Sequence, residues 1–149
     1  MDFKISFILL HISLALWTGG MAMFTFVVTP VIFKYFPRDT ASRTVDKLFP
    51  LYFPYNLITS VLALFFDAIS GGTNYSIIII AAAVLINLFI ILVLYPAIKK
   101  TKFLIPSFEK TAPPSPARKR FSRWHAVSAV LNLLLLAIGL ALIVIRSAS

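Results

Sequence analysis

The chain has 149 residues, of which 60% are hydrophobic and 13% charged, with a mean hydropathy of +0.94; soluble domains average roughly 45–50% apolar and about 25% charged residues. That composition excludes a water-soluble globule. The absence of cysteine excludes disulfides, thiolate metal sites, c-type haem attachment and a cysteine nucleophile. The formal charge of +9 needs no nucleic-acid partner, because its distribution has a membrane explanation.

Four apolar runs stand out in chain order, at about 5–33, 48–69, 75–98 and 122–146. Each is long enough to cross a bilayer, which takes about 20 residues in a helix. The first is too long for a secretory leader and carries Trp17, Met21 and Met23, so it is kept as the first span. Spans one and two are joined by a segment bearing Lys34, Arg38, Arg43 and Lys47. Spans three and four are joined by a linker, about 99–121, with seven Lys or Arg residues around Ala112-Pro113-Pro114-Ser115-Pro116, and Arg123 follows it directly. The opposite side carries only Lys4 and Arg146. The positive-inside rule therefore predicts an all-α integral membrane four-helix bundle with both termini on the outer side and both basic segments cytoplasmic. The basic segments are expected to rest on anionic lipid, in a plasma membrane or bacterial inner membrane. The proline-rich composition of the linker suits an extended connection. Pro30 is expected to kink or end span one, while Pro50, Pro54 and Pro96 lie near helix ends. One domain, 1–149, accounts for the chain.

Polar side chains inside such spans must face other helices or a cavity. In span one, His11, Ala15, Thr18, Ala22, Thr25 and Thr29 recur at steps of three and four, which places them on one helix face. Span two offers Tyr52, Asn56, Thr59, Ala63 and Asp67, span three Ala83 and Asn87, and span four His125, Ser128, Ala129, Asn132 and Gly139. Depth counting at about 1.5 Å per residue brings Thr25, Tyr52, Asn56, His125 and Asn132 together near the basic end, with Asn87 closer to the middle. Asp67 falls about one turn in depth from His11, and the two are expected to pair. His11 and His125 are the candidate cofactor-binding residues, since facing imidazoles hold haem b in membrane bundles. Their axial separation of about 20–30 Å forbids one iron between them. Thr25, Tyr52, Asn56, Asp67, Asn87 and Asn132 are the candidate ligand-binding residues. No paired carboxylates, catalytic triad, phosphate loop or zinc-spaced cluster is present, so an enzyme is not expected.

Several motifs carry a family likeness: His11, Trp17, Gly19 and Gly20; Thr29-Pro30-Val31-Ile32-Phe33; Phe36-Pro37-Arg38; Lys47-Leu48-Phe49-Pro50-Leu51-Tyr52-Phe53; and Arg123-Trp124-His125 with Ser128 and Asn132. In order and spacing they resemble transmembrane protein 205 and its bacterial relatives. That resemblance implies a small four-helix integral membrane protein of unassigned function, whose animal members are associated with resistance to platinum drugs. Without cysteine, only the thioethers of Met21 and Met23 and the histidines could serve a soft metal. Three functional readings follow: a non-enzymatic bundle that binds or passes a small polar or metal-containing solute, a haem b-binding or redox-accessory protein, and a structural membrane subunit or scaffold; a homo-oligomer or a membrane-complex partner is open to each.

Overall fold

The computed structural model describes residues 2–110 and 115–148, so part of the proline-rich linker, 111–114, lies outside the described residues. Four long helices carry the chain: α1 Phe3–Tyr35, α2 Arg38–Ile69, α3 Asn74–Phe103 and α4 Pro116–Ser147. Each is long and apolar enough to cross a membrane, and no strand occurs among the described residues. At about 1.5 Å per residue the helices outrun a hydrocarbon core of about 30 Å by several turns. They therefore extend past the apolar runs, and the excess lies mostly at the basic end. There α2 begins ten residues before Leu48, and α3 continues to Phe103.

Local chemistry sets the starts. Asp2 and Thr73 accept the backbone N–H groups of Lys4 and Ser76 at 3.2 Å each. Ser115 accepts that of Arg118 at 3.3 Å with Pro116 in the first turn. These are the side-chain types and proline position that favour helix initiation. Each helix packs on its sequence neighbours, and α4 closes the ring against α1. Where α2 turns into α3, Gly71 has φ +69°, a left-handed conformation that favours glycine.

Two helices are locally widened. Phe24–Val28 in α1 and Ile90–Leu94 in α3 form π-helical turns, each ending two residues before a proline, Pro30 and Pro96. Proline cannot donate to the carbonyl four residues back and crowds it, and one wide turn relieves that clash without breaking the helix. Pro30 thus redirects α1 rather than ending it.

The buried face of α1 differs from the expected stripe. Ser6, Leu10, Ser13, Leu14, Trp17, Thr18 and Met21 are buried, whereas Ala15 is exposed and His11 half-buried. The face is centred on Trp17 because α4 places Gly139 beside it, leaving room for the indole. Polarity alone marks a helix face poorly where apolar residues also pack helix to helix.

At the basic end, Leu104–Lys110 folds under α2 rather than trailing away. Ser107 Oγ and the Phe108 N–H both donate to Asp39 at 2.6 Å, and Arg118 donates to the Phe108 carbonyl at 2.6 Å. Lys102 Nζ donates to the Ser42 carbonyl at 2.9 Å and pairs with Asp46. The part of the linker nearest α3 is therefore held to the bundle by charge-assisted hydrogen bonds.

Candidate functional site

The buried residues of α4 are confined to its terminal half: Leu135, Leu136, Gly139, Leu142 and Arg146. In α1, none beyond Met21 is buried. The two helices therefore pack at the end that carries the termini and part at the basic end. Between them lies a cavity of about 410 Å³ lined by residues of all four helices, within the size range of small-molecule sites.

One wall is aromatic. Phe24 stacks on Tyr52 at 4.1 Å between centroids, and Phe49 on Phe53 at 5.0 Å. Tyr95 stands edge-on to Phe49 and Phe53, at 5.7 and 5.1 Å. The opposite wall is α4, where the His125 imidazole lies nearly parallel to the Phe121 ring, 7° apart at 5.8 Å, followed by Ser128, Ala129 and Asn132. The walls meet where the Tyr52 hydroxyl donates to Asn132 Oδ1 at 3.3 Å. Asn132 in turn donates to the Ser128 carbonyl at 3.0 Å. Neither the His125 imidazole nor the Ser128 hydroxyl makes a hydrogen bond to another described residue.

A second hollow of about 390 Å³ lies beyond the first, toward the folded linker, and is lined by Arg43, Lys99 and Phe108 among others. Both spaces share Ser42, Asp46 and Lys102. The Asp46–Lys102 ion pair, with the bond from Lys102 to the Ser42 carbonyl, is therefore the partition between them. Its side chains are 42% and 16% exposed, so water screens the pair and it holds only modestly.

Of the residues singled out in the sequence, Thr25, Tyr52, His125 and Asn132 line the cavity together. Asn56 does not: it lies one turn behind, donating to the Tyr52 carbonyl at 3.1 Å. Asn87 joins α3 to α2 through a bond to Ser60 Oγ at 3.3 Å. Asp67 is at the other end of the bundle and does not pair with His11. Its carboxylate meets Arg146 Nε at 2.8 Å and accepts the Ser76 hydroxyl at 2.6 Å, while Arg146 also donates to the Ser70 carbonyl at 3.2 Å. The guanidinium, with several donors in one plane, bridges groups that a single imidazole cannot. His11 instead has its Nδ1 2.9 Å from the Phe7 carbonyl and its ring 4.4 Å from that of Phe7. His11 therefore sits near the terminal end and His125 at the basic-end cavity, so the two imidazoles share no site. Among the described residues, no group of three His, Asp or Glu could hold a metal ion.

Sequence reasoning missed Arg146 as a partner, the Asp46–Lys102 partition and the aromatic wall. A signal existed for the first: Arg146 is the lone base at the end of span four, level with the lone acid at the end of span two.

The fold and cavity define a helical bundle of the membrane-spanning class with an internal hollow at its basic end. The chain belongs to the DUF4149 family, described as a domain of unknown function, which matches residues 12–107. A similar protein, an uncharacterized protein of Aquifex aeolicus (strain VF5), is 30% identical over 135 residues, covering 89% of this chain and 91% of that one. No solved structure matches.

Proposed function

We propose that this chain is a non-enzymatic membrane protein whose basic-end cavity binds a small solute, with the Asp46–Lys102 pair as its closure toward the second hollow. The observation that carries this reading is the cavity itself: a hollow of about 410 Å³ whose lining includes the hydrogen-bonding side chains of Thr25, Tyr52, His125, Ser128 and Asn132. Polar groups at membrane depth are costly and tend to mark sites or pathways. The likeness to transmembrane protein 205 belongs to the same reading. Thr29, Phe33, Phe49, Tyr52, Phe53, His125, Ser128 and Asn132, all within the motifs that carry it, line the cavity.

The cysteine-free chain allows a direct test. A thiol introduced as Ser128→Cys is expected to react with a charged methanethiosulfonate reagent added at the basic end. Lys102→Met, which removes the partition, is expected to speed that reaction by roughly 2–5-fold, equivalent to an exposed ion pair of up to about 1 kcal/mol. A thiol inert in both backgrounds would count against the reading.

The orientation has termini outside and both basic segments cytoplasmic, in a plasma or bacterial inner membrane. Thr73→Cys and Ser115→Cys are expected to label from opposite sides, with Thr73→Cys reached by an impermeant reagent on intact cells. The reverse pattern would overturn the orientation. In this reading the exposed Arg43, Lys99 and Lys100 face anionic lipid, each contributing about 1 kcal/mol near the surface.

A further inference from the structure

We infer that the ligand of this cavity is a neutral, planar, oxygen-bearing ring on an apolar tail, of the quinone or quinol type, which enters sideways from the membrane between the diverging halves of α1 and α4. The inference rests on the solute-binding reading above and gives it a chemical class.

Four observations converge on it. The cavity is bounded by rings on both sides, Phe24–Tyr52 and Phe49–Phe53 on one wall and Phe121–His125 on the other. A flat conjugated ring gains offset-stacked and edge contacts on both faces in such a slot, which an aliphatic chain or a hydrated ion does not. The charge at the cavity is compensated, because Asp46 and Lys102 are paired with each other. A neutral head group leaves that pair as it is, whereas an ionic solute would compete with it for partners.

The cavity lining also carries hydrogen-bonding groups suited to oxygens. The His125 imidazole and the Ser128 hydroxyl make no hydrogen bond to another described residue, one turn apart on the same face of α4. Both can donate to ring carbonyls or accept from ring hydroxyls. His125 is exposed at the cavity opening and Ser128 half-buried, so both are accessible to a ligand, and lipid itself offers them no partner.

The route is apolar. No residue of α1 from Phe24 to Tyr35 is buried, and none of α4 before Leu135 is. Exposed Phe26, Val27, Val130 and Leu133 make the flanks of the opening compatible with an acyl or isoprenoid chain lying along them. Phe24 and Thr25 of the π-helical turn Phe24–Val28, and Thr29 and Phe33 beyond it, line the cavity along this side of α1. No electron transfer is assigned to the site; the inference concerns binding alone.

The test uses the full chain in lipid nanodiscs, with quenching of its tryptophan fluorescence as the readout, since Trp124 neighbours His125 in the sequence. The two probes are a ubiquinone carrying a two-isoprene tail and geraniol, which is the same tail without the ring. A melting curve with each probe serves as a second readout free of quenching artefacts. The ring-bearing probe is expected to bind saturably and to raise the melting temperature, with geraniol at least about tenfold weaker.

Two variants localise the site. His125→Leu is expected to weaken the ring-bearing probe about tenfold, the equivalent of a lost hydrogen bond plus a lost ring contact. Ala129→Trp, which fills the space from an exposed position on α4, is expected to abolish binding. Neither variant touches the buried contacts of α4, so both are expected to fold with unchanged melting in the absence of probe. Equal binding of the two probes, both lost in Ala129→Trp, would overturn the ring class while leaving the solute-binding reading standing. Binding of the ring-bearing probe that survives Ala129→Trp would overturn the inference by placing the probe elsewhere. Absence of any binding, together with an inert thiol in Ser128→Cys, would overturn both.

Discussion

Arg146→Leu is expected to be among the most destabilising single substitutions in the chain, costing about 3–5 kcal/mol, because it leaves the Asp67 carboxylate buried without its cation. Asp67 is fully buried and Arg146 only 4% exposed, so water cannot take the place of the lost partner. The pair ties the ends of three helices together: Asp67 on α2, Ser76 on α3 and Arg146 on α4. The Phe7 ring of α1 lies 5.8 Å beneath the guanidinium, which adds a cation–π contact in a desolvated setting. Gly72 is required here by space, since a Cβ at that position would run into the Asp67 carboxylate and carbonyl.

The double variant Asp67→Leu/Arg146→Met separates two explanations of that loss. A buried ion pair often costs more in desolvation than its attraction returns, so replacing both members with apolar groups is frequently neutral or better. The Ser76 hydroxyl would keep a partner in the Thr73 carbonyl, 3.0 Å away. The double variant is therefore expected to recover most of the single-variant loss in reversible unfolding from mixed micelles. If it remains as unstable as Arg146→Leu, the contribution lies in the arginine's packing over Phe7 and its bond to the Ser70 carbonyl rather than in the charge pair.

The four helices were legible because uncharged, mostly apolar runs of about twenty residues admit few other structures. Their ends were not, because charge marks where a helix leaves the bilayer and not where its hydrogen bonds stop. Arg38 to Lys47 and Lys99 to Phe103 are charged and helical at once. The cavity was legible in part. Helical phase and depth brought Thr25, Tyr52, His125 and Asn132 to one end, and they line one hollow. Asn56 lay outside it because Asn56 and Tyr52 are a turn apart along α2, and the aromatic wall occupies the depth at which α1 and α4 diverge.

That wall was illegible for a simple reason. Fourteen phenylalanines look alike in sequence, and which of them converge depends on two π-helical turns that shift the register of α1 and α3. Pro30 and Pro96 were the only signals of those turns. The pairing of Asp67 failed differently: depth counting left both His11 and Arg146 within reach, and Arg146 was read only as a topological charge.

The contact between α1 and α4 at Gly139 yields the second large effect. A Cβ built there falls well inside contact distance of Thr18 Cγ2 and 3.6 Å from two ring atoms of Trp17. Thr18 is 4% exposed and Trp17 fully buried. Thr18 cannot simply swing aside, because a β-branched side chain in a helix is stiff at χ1 and its hydroxyl is fixed to the Leu14 carbonyl at 2.7 Å. The helices themselves would have to part, which forfeits packing where small residues set membrane helix association. Gly139→Ala therefore sets a steric cost of about 1–3 kcal/mol against a gain of nearly 1 kcal/mol in helix propensity, for a small net loss. Gly139→Leu has the same clash with far more volume and a similar propensity gain, and is expected to cost at least about 3 kcal/mol or to prevent α4 from docking. Thr18→Ala removes the colliding methyl, so the Thr18→Ala/Gly139→Ala pair is expected to be more stable than the sum of its single effects predicts, by about 1 kcal/mol in a double-mutant cycle. Strict additivity in that cycle would show that α1 and α4 do not meet through these two residues.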